Sequence, residues 1–194
     1  SVARFEVGGS KKQLEMVRTF LKLNRLFPAL LNHWKLILVG GSPGENEYLQ
    51  KIKELIAKFG TDNICLMINS SGDELKTIYG KAKIFWHLCG LDQTDPSLVE
   101  HFGMTIVEAM QNRLAPIVFD GGGQREIVDH GSDGFRVQST AQLMSFTMKL
   151  IEEPGLRDEL GRRAFEKSKL FSREFFEQHV REFFCAELEK YCSI

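Results

Sequence analysis

The sequence predicts an α/β fold, a doubly wound parallel sheet of about six strands with a helix after each. Two observations carry that prediction. Short apolar runs (ARFEV, WKLILVG, NICLMI, AKIFWHL, LAPIVF) alternate with helix-length stretches along the whole chain. Several of these runs are almost continuously apolar, the pattern of strands covered on both faces.

Residues 2–7 read as the first strand. Residues 11–31 read as an amphipathic helix, with Leu14, Val17, Phe20 and Leu21 at helical spacing and Pro28 disturbing its end. Residues 34–40 form the second strand. Ser42-Pro43-Gly44-Glu45 reads as a capping box with proline at the first helical position, opening a helix that runs to Phe59 and stops at Gly60. Residues 63–68 form the third strand. Ser71 and Glu74 start a short helix ending near Gly80, and residues 82–88 form the fourth strand.

A loop of about a dozen residues follows, rich in Asp, Gly and Pro, and connections that long inside a compact domain are usually functional. After it come a helix from Gly103 to Asn112, a strand over 114–119, a glycine turn at 121–123, a helix through Asp129 and a short strand over 134–138. Ser139 and Gln142 cap the next helix, Pro154-Gly155 breaks it, and two helices close the chain. The last one gathers Phe171, Phe175, Phe176, Phe183 and Phe184, either for packing on this domain's core or, in part, for docking on a further domain.

With 194 residues, one domain spanning 1–194 is expected. A formal net charge of −1 argues against nucleic-acid and anionic-membrane partners. No apolar stretch approaches the ~20 residues needed to cross a bilayer. The stretch as it stands does not read as opening on a signal peptide, and its abrupt strand-like start leads to the expectation of a fragment cut at a domain boundary. Cys65, Cys89, Cys185 and Cys192 form no CxxC pair and have no histidine at zinc spacing, so small buried hydrophobes in a reducing compartment are expected.

The stretch 96–128 is where chemistry is expected, because loops at the carboxyl ends of strands bind ligands in such sheets. The helix beginning near Gly103 offers amides without intrahelical partners and the positive end of its dipole, a seat for phosphate. Gly103 lets the ligand approach, and Thr105 adds a hydroxyl. Glu108 shares a helix face with Thr105 and suits a ribose diol, whereas Glu100, before the helix, suits a second hydroxyl-bearing group across the phosphates. Arg4 and either Lys11 or Lys12 are the candidate cations, flanking the Gly8-Gly9-Ser10 turn. Two basic groups converging on a leaving diphosphate do the work of a metal, and no carboxylate cluster demands one. His87 ends a strand beside this loop, as a ligand contact or a packed histidine.

Glu100-x7-Glu108, in EHFGMTIVEAM, resembles the signature of the family 4 retaining glycosyltransferases. ARFEVGGSKKQ, WKLILVGG and LAPIVFDGGGQREIVDHGSDGFRV resemble the rest of that family's donor-binding half, so the resemblance covers nearly the whole chain. It implies the GT-B fold, two Rossmann-like domains with the active site between them, of which this chain is the C-terminal half. It implies that Glu100 positions the transferred sugar. Phe102, Gly103, Met104 and Thr105 hold sugar and diphosphate, Glu108 binds the ribose, and Arg4 and Lys11 neutralise the leaving diphosphate. Gly40, Gly41, Met67, Ile68 and Asn69 surround the base. The implied donor is a UDP- or GDP-sugar, with no metal or other cofactor. The implied acceptor is a glycan or lipid-linked molecule reached through a missing N-terminal domain, without which the fragment is inactive. FWH before the loop and EHFG in it resemble bacterial enzymes of surface or cell-wall glycan synthesis, implying a cytoplasmic protein or one peripheral to the inner face of the membrane. Ala3 and Arg113 depart from the glycine or small residue that the family has there. A non-catalytic nucleotide-binding module, or another GT-B-like enzyme such as a sugar-nucleotide epimerase or phosphorylase, are the alternatives.

Overall fold

The structure is a computed structural model that describes all residues except Pro43, Glu45, Ser193 and Ile194, and no side chain beyond 185. Its elements run α1 (Gln13–Leu26), α2 (Pro28–Leu31), β1 (Leu36–Gly40), α3 (Glu47–Phe59), β2 (Ile64–Ile68), α4 (Gly72–Lys81), β3 (Ile84–His87), α5 (Met104–Gln111), β4 (Ala115–Phe119), α6 (Gln124–Ile127), β5 (Phe135–Val137), α7 (Thr140–Glu152), α8 (Pro154–Ser168) and α9 (Arg173–Cys192). β1 pairs with β2, and β3, β4 and β5 pair in that order, all parallel.

Strand residues alternate between two apolar layers, as a period of two requires. Leu38, Trp86 and Ile117 pack with α1, α3 and α7, whereas Phe85 and Val118 pack with Tyr79 of α4, with α5 and with Ala164 of α8. Both faces are therefore covered, and the doubly wound α/β architecture holds. All strands point their carboxyl ends the same way, which gathers the β1–α3, β2–α4, β3–α5 and β4–α6 connections at one edge.

Local chemistry explains most boundaries. Ser71 and Glu74 form the expected capping box, Ser139 caps α7 through the Gln142 amide, and Gly60 ends α3 at a φ of 54°. Four expectations are corrected. The first strand reduces to one isolated bridge, Val2 with Val39, although residues 1–5 run along β1 through backbone hydrogen bonds, so five strands are described instead of about six. The helix over 11–31 is two helices, because Pro28 cannot continue α1 and instead opens α2. α3 starts later than the box at 42–45, two of whose residues lie outside the described ones. Its cap is Asn46, whose side chain accepts from the Leu49 amide. Cys65 is exposed, because its side chain alternates to the solvent side of β2, while Cys89 is buried.

Candidate active site at the carboxyl edge of the sheet

Lys11 and Glu100 meet at the centre of this edge. The Gly8-Gly9 turn, with φ of 92° and 65°, and a left-handed Lys12 at 61° deliver Lys11 just ahead of α1. Its ammonium donates to Glu100 Oε2 at 3.0 Å and lies 3.6 Å from Cys89 Sγ. His87, buried at the end of β3 with its ring stacked on Phe85, places Nε2 3.2 Å from the same carboxylate oxygen. Both partners of Glu100 thus use Oε2, leaving Oε1 for a ligand.

The loop carrying Glu100 is held by the glycine turn. Gly123 donates its amide to the Glu100 carbonyl at 2.9 Å, and a Cβ on Gly122 or Gly123 would run into the carbonyl of Glu100 or of His101. Gln124, buried at the start of α6, donates from Nε2 to the Cys89 carbonyl at 2.6 Å. Cys89 in turn donates to the Leu98 carbonyl at 3.6 Å.

The charges are mutually supporting. The His87 hydrogen bond, helped by Lys11, holds Glu100 down at about 2 against the opposing effect of burial. Burial disfavours the Lys11 ammonium, but the Glu100 hydrogen bond and the nearby negative charges leave it above its ordinary value. Burial pushes His87 below its ordinary range, so at neutral pH it is a neutral imidazole donating Nε2–H to the carboxylate. His87, Cys89 and Glu100 have ligand atoms within 4.8 Å of one another. The Lys11 ammonium, bonded to Glu100 Oε2 and 3.6 Å from Cys89 Sγ, places a positive charge beside these atoms.

Beside Glu100 begins α5. Gly103 sits at its N-terminus with φ 106°, and a Cβ there would lie 3.5 Å from the Glu100 Cγ. No side chain caps this end, and the amides of Gly103, Met104 and Thr105 have no acceptor among the described residues. Phe102 and Met104 are exposed over this turn, Phe102 resting edge-on against Phe171. One turn into α5, Glu108 accepts from the Tyr79 hydroxyl at 3.0 Å.

Arg4 is mostly exposed and bonds Glu6 at 2.7 Å, a carboxylate that also accepts from the Ser10 hydroxyl and is among the negative charges acting on Lys11. Lys12 is buried as the N-cap, so Lys11 is the lysine that faces the site. Gly41 and Asn69 join Arg4 and Glu6 around an open depression. Asn69, at a φ of 56°, ties β1 to β2 by accepting from the Ser42 amide and donating to the Ser42 carbonyl. Gly40 is the last residue of β1, where a Cβ would strike the Ala3 carbonyl, and Met67 and Ile68 end β2 half-buried. Cys89, Tyr79 and Gln124 escaped sequence reasoning, because each acts through a partner distant in sequence.

The family model described as Glycosyl transferases group 1 matches residues 7–167. The human alpha-1,3/1,6-mannosyltransferase ALG2 is 30% identical over 138 residues, covering 70% of this chain and 32% of ALG2. Among solved structures, Anabaena Alr3699/HepE in complex with UDP-glucose superimposes with a TM-score of 0.75 at 21% identity, over 95% of this chain and 48% of that one. The C-terminal domain of the group 1 family protein LpcC of Francisella tularensis superimposes with a TM-score of 0.68 at 19% identity, over 87% of this chain and 83% of that one. The chain spans 8% to 36% of the length of the curated relatives it matches. Among the described residues, no helix is long and apolar enough to cross a membrane.

Proposed function

The chain belongs to the glycosyl transferases group 1, and on that premise we propose that it is the donor-binding, C-terminal half of a retaining glycosyltransferase. The enzyme takes a hexose from a UDP- or GDP-sugar and transfers it to a glycan or lipid-linked acceptor in surface polysaccharide or cell-wall glycan synthesis. One observation carries this reading: Glu100, charged and pinned through Oε2, stands directly against an uncapped helix start with three acceptor-free amides.

Each group has a role. The amides of Gly103, Met104 and Thr105 receive the diphosphate. Lys11 offsets the charge that grows on it as the glycosidic bond breaks, and Arg4 swings from Glu6 to share that task. Glu100 Oε1 holds sugar hydroxyls, and Glu108 holds the ribose. The base lies by Gly40, Gly41, Met67, Ile68 and Asn69. No metal is needed, since Lys11 and the amides supply the positive field. The sugar departs from and is attacked on the same face, with the leaving phosphate taking the acceptor proton. The acceptor comes from a domain outside this chain, so the chain alone binds donor without transferring it.

Calorimetric titration of the full-length protein with UDP, UDP-glucose, GDP and GDP-mannose, in EDTA, tests this. Binding of one nucleotide series is expected. Binding of none overturns the donor-site reading, whereas binding without transfer by the full-length protein replaces it with a nucleotide-binding module. Anomeric configuration of the product, read by NMR, checks retention.

A further inference from the structure

The segment that carries Lys11 is gripped by the start of α3. At its entry, Asn46 Nδ2 donates to the Phe5 carbonyl at 3.1 Å. Within it, the Gly9 amide donates to the Glu6 carbonyl and the Lys12 amide to the Gly9 carbonyl, each at 3.0 Å. At its exit, the Leu14 amide donates to the Tyr48 hydroxyl at 2.9 Å. Two bonds from the start of one helix thus bracket the residues that set where Lys11 stands.

The bond to Tyr48 replaces a cap that α1 lacks. The Leu14 amide, in the first turn of α1, is one of the donors for which a helix start offers no intrahelical partner. The N-cap residue ordinarily accepts from that amide through a side-chain oxygen. Here the N-cap is Lys12, whose side chain has only donors. Tyr48 supplies the missing oxygen from another helix. It is buried, and burial pushes its phenol up to about 12, so the hydroxyl stays neutral throughout the physiological range. The ring is fitted as closely as the hydroxyl: Gly9 takes a φ of 65°, and a Cβ on it would run into the Tyr48 ring. The turn therefore rests on that ring two residues before Lys11, and α1 is capped by its hydroxyl three residues after. α3 also packs on the core through Leu49 and Ile52, so packing does not account for the hydroxyl.

We infer that Tyr48 is the positioning residue of Lys11: by capping α1 and backing Gly9 it holds the lysine backbone where the ammonium meets Glu100 and, on the donor-site reading above, the leaving diphosphate. The ammonium is fixed by Glu100 and the backbone by Tyr48. A cation held in place before its ligand arrives binds it without the entropy loss of ordering a loose turn. Tyr48 acts on the donor through Lys11 and makes no contact with it.

Three variants of the full-length protein test this. Tyr48→Phe keeps the ring under Gly9 and removes the acceptor. Ile52→Val loosens the same helix in the core and leaves the turn alone. Lys11→Met removes the cation. The first readout needs no nucleotide: the rate at which an N-hydroxysuccinimide ester acetylates Lys11, resolved from Lys12 by fragment mass spectrometry. The bond to Glu100 restrains that amine, so Tyr48→Phe is expected to react at least about threefold faster than wild type, and Ile52→Val at the wild-type rate. The second readout is affinity for UDP and GDP by calorimetry. Tyr48→Phe is expected to weaken the nucleotide that binds by about three- to tenfold, to add nothing once Lys11 is Met, and Ile52→Val to leave affinity unchanged. An unchanged acetylation rate in Tyr48→Phe overturns the inference. So does a loss of affinity that persists in full beside Lys11→Met, which would mean that Tyr48 acts by another route. An equal loss in Ile52→Val also overturns it, since the role would then be stability alone. Binding of neither nucleotide to wild type overturns the donor-site reading instead, and the acetylation rate then decides by itself whether Tyr48 places Lys11.

Discussion

The Lys11 ammonium bonds Glu100 Oε2 at 3.0 Å across a sequence separation of 89 residues. Each side chain is about four-fifths shielded from solvent, with exposures of 20% and 18%, so the pair is more than a surface contact. Replacing Lys11 with Met keeps the stem and removes the charge. Glu100 is then left half-buried with His87 alone, a loss of about 1–2 kcal/mol once partial solvation is allowed for. Urea denaturation should register that loss. On the proposed donor-site reading, the same variant should weaken nucleotide-sugar binding about tenfold or more by calorimetry, because the diphosphate would lose a nearby cation.

The Glu100 cluster also makes stability fall in acid. The folded-state pKa of Glu100 is about 2, against 4.5 for the free group. The unfolded chain therefore takes up this proton first, and the stabilisation present above about pH 5 is lost as pH falls toward 2. Solvent screening discounts it to about 1–2 kcal/mol. His87 adds to the slope at higher pH: burial lowers its pKa below 6.5, so stability falls as pH drops through that region too. Denaturation of Glu100→Gln from pH 7 to 3 should show the first component abolished. An unchanged profile would remove Glu100 from the account.

The local half of this design was legible in sequence. Ser71 with Glu74, Ser139, Gly60 and the apolar runs act within a few residues, and spacing reveals them. So does the uncapped turn at Gly103. Arg113, at the expected place of a glycine, has the left-handed φ of 58° that glycine serves, and its guanidinium lies 5.0 Å over the Phe165 ring. What sequence spacing does not carry is contact between elements. Ser42 and Asn46 are both good caps by residue type, and the one used is Asn46, whose Nδ2 also donates to the Phe5 carbonyl across a sequence separation of 41 residues. The Arg4 orientation, the Cys89 and Gln124 links and the Tyr79–Glu108 bond likewise depend on which strands lie side by side.

Tyr79 offers a test of the ribose assignment. Its hydroxyl donates to Glu108 at 3.0 Å, and burial together with the Glu108 charge raises its pKa, so it remains a proton donor throughout the physiological range. Tyr79→Phe removes the bond to Glu108 and the longer one to the Thr105 carbonyl, at a cost of about 1 kcal/mol, and lets the carboxylate turn. A several-fold weaker affinity for nucleoside diphosphate is expected from it, and a larger loss from Glu108→Ala. If neither variant changes nucleotide binding while both remain folded, Glu108 does not hold the ribose.

Gly123 is where the fold and the site are joined. Its amide anchors the Glu100 carbonyl, and the space where a Cβ would stand is filled by the His101 carbonyl and the Phe102 Cα. Neither is the end of a flexible side chain, so Gly123→Ala must push the backbone that carries Glu100. Overpacking of this kind costs about 1–3 kcal/mol. Its displacement also separates Glu100 from Lys11 and His87, which together keep the carboxylate charged. The variant should therefore lose both thermal stability and donor binding. Gly131 is the control: it has φ 80° but open space around a Cβ, so Gly131→Ala strains its own turn at about 1 kcal/mol and leaves donor binding intact. Equal effects of the two variants on donor affinity would mean that the glycine turn merely stabilises the sheet edge and does not position Glu100.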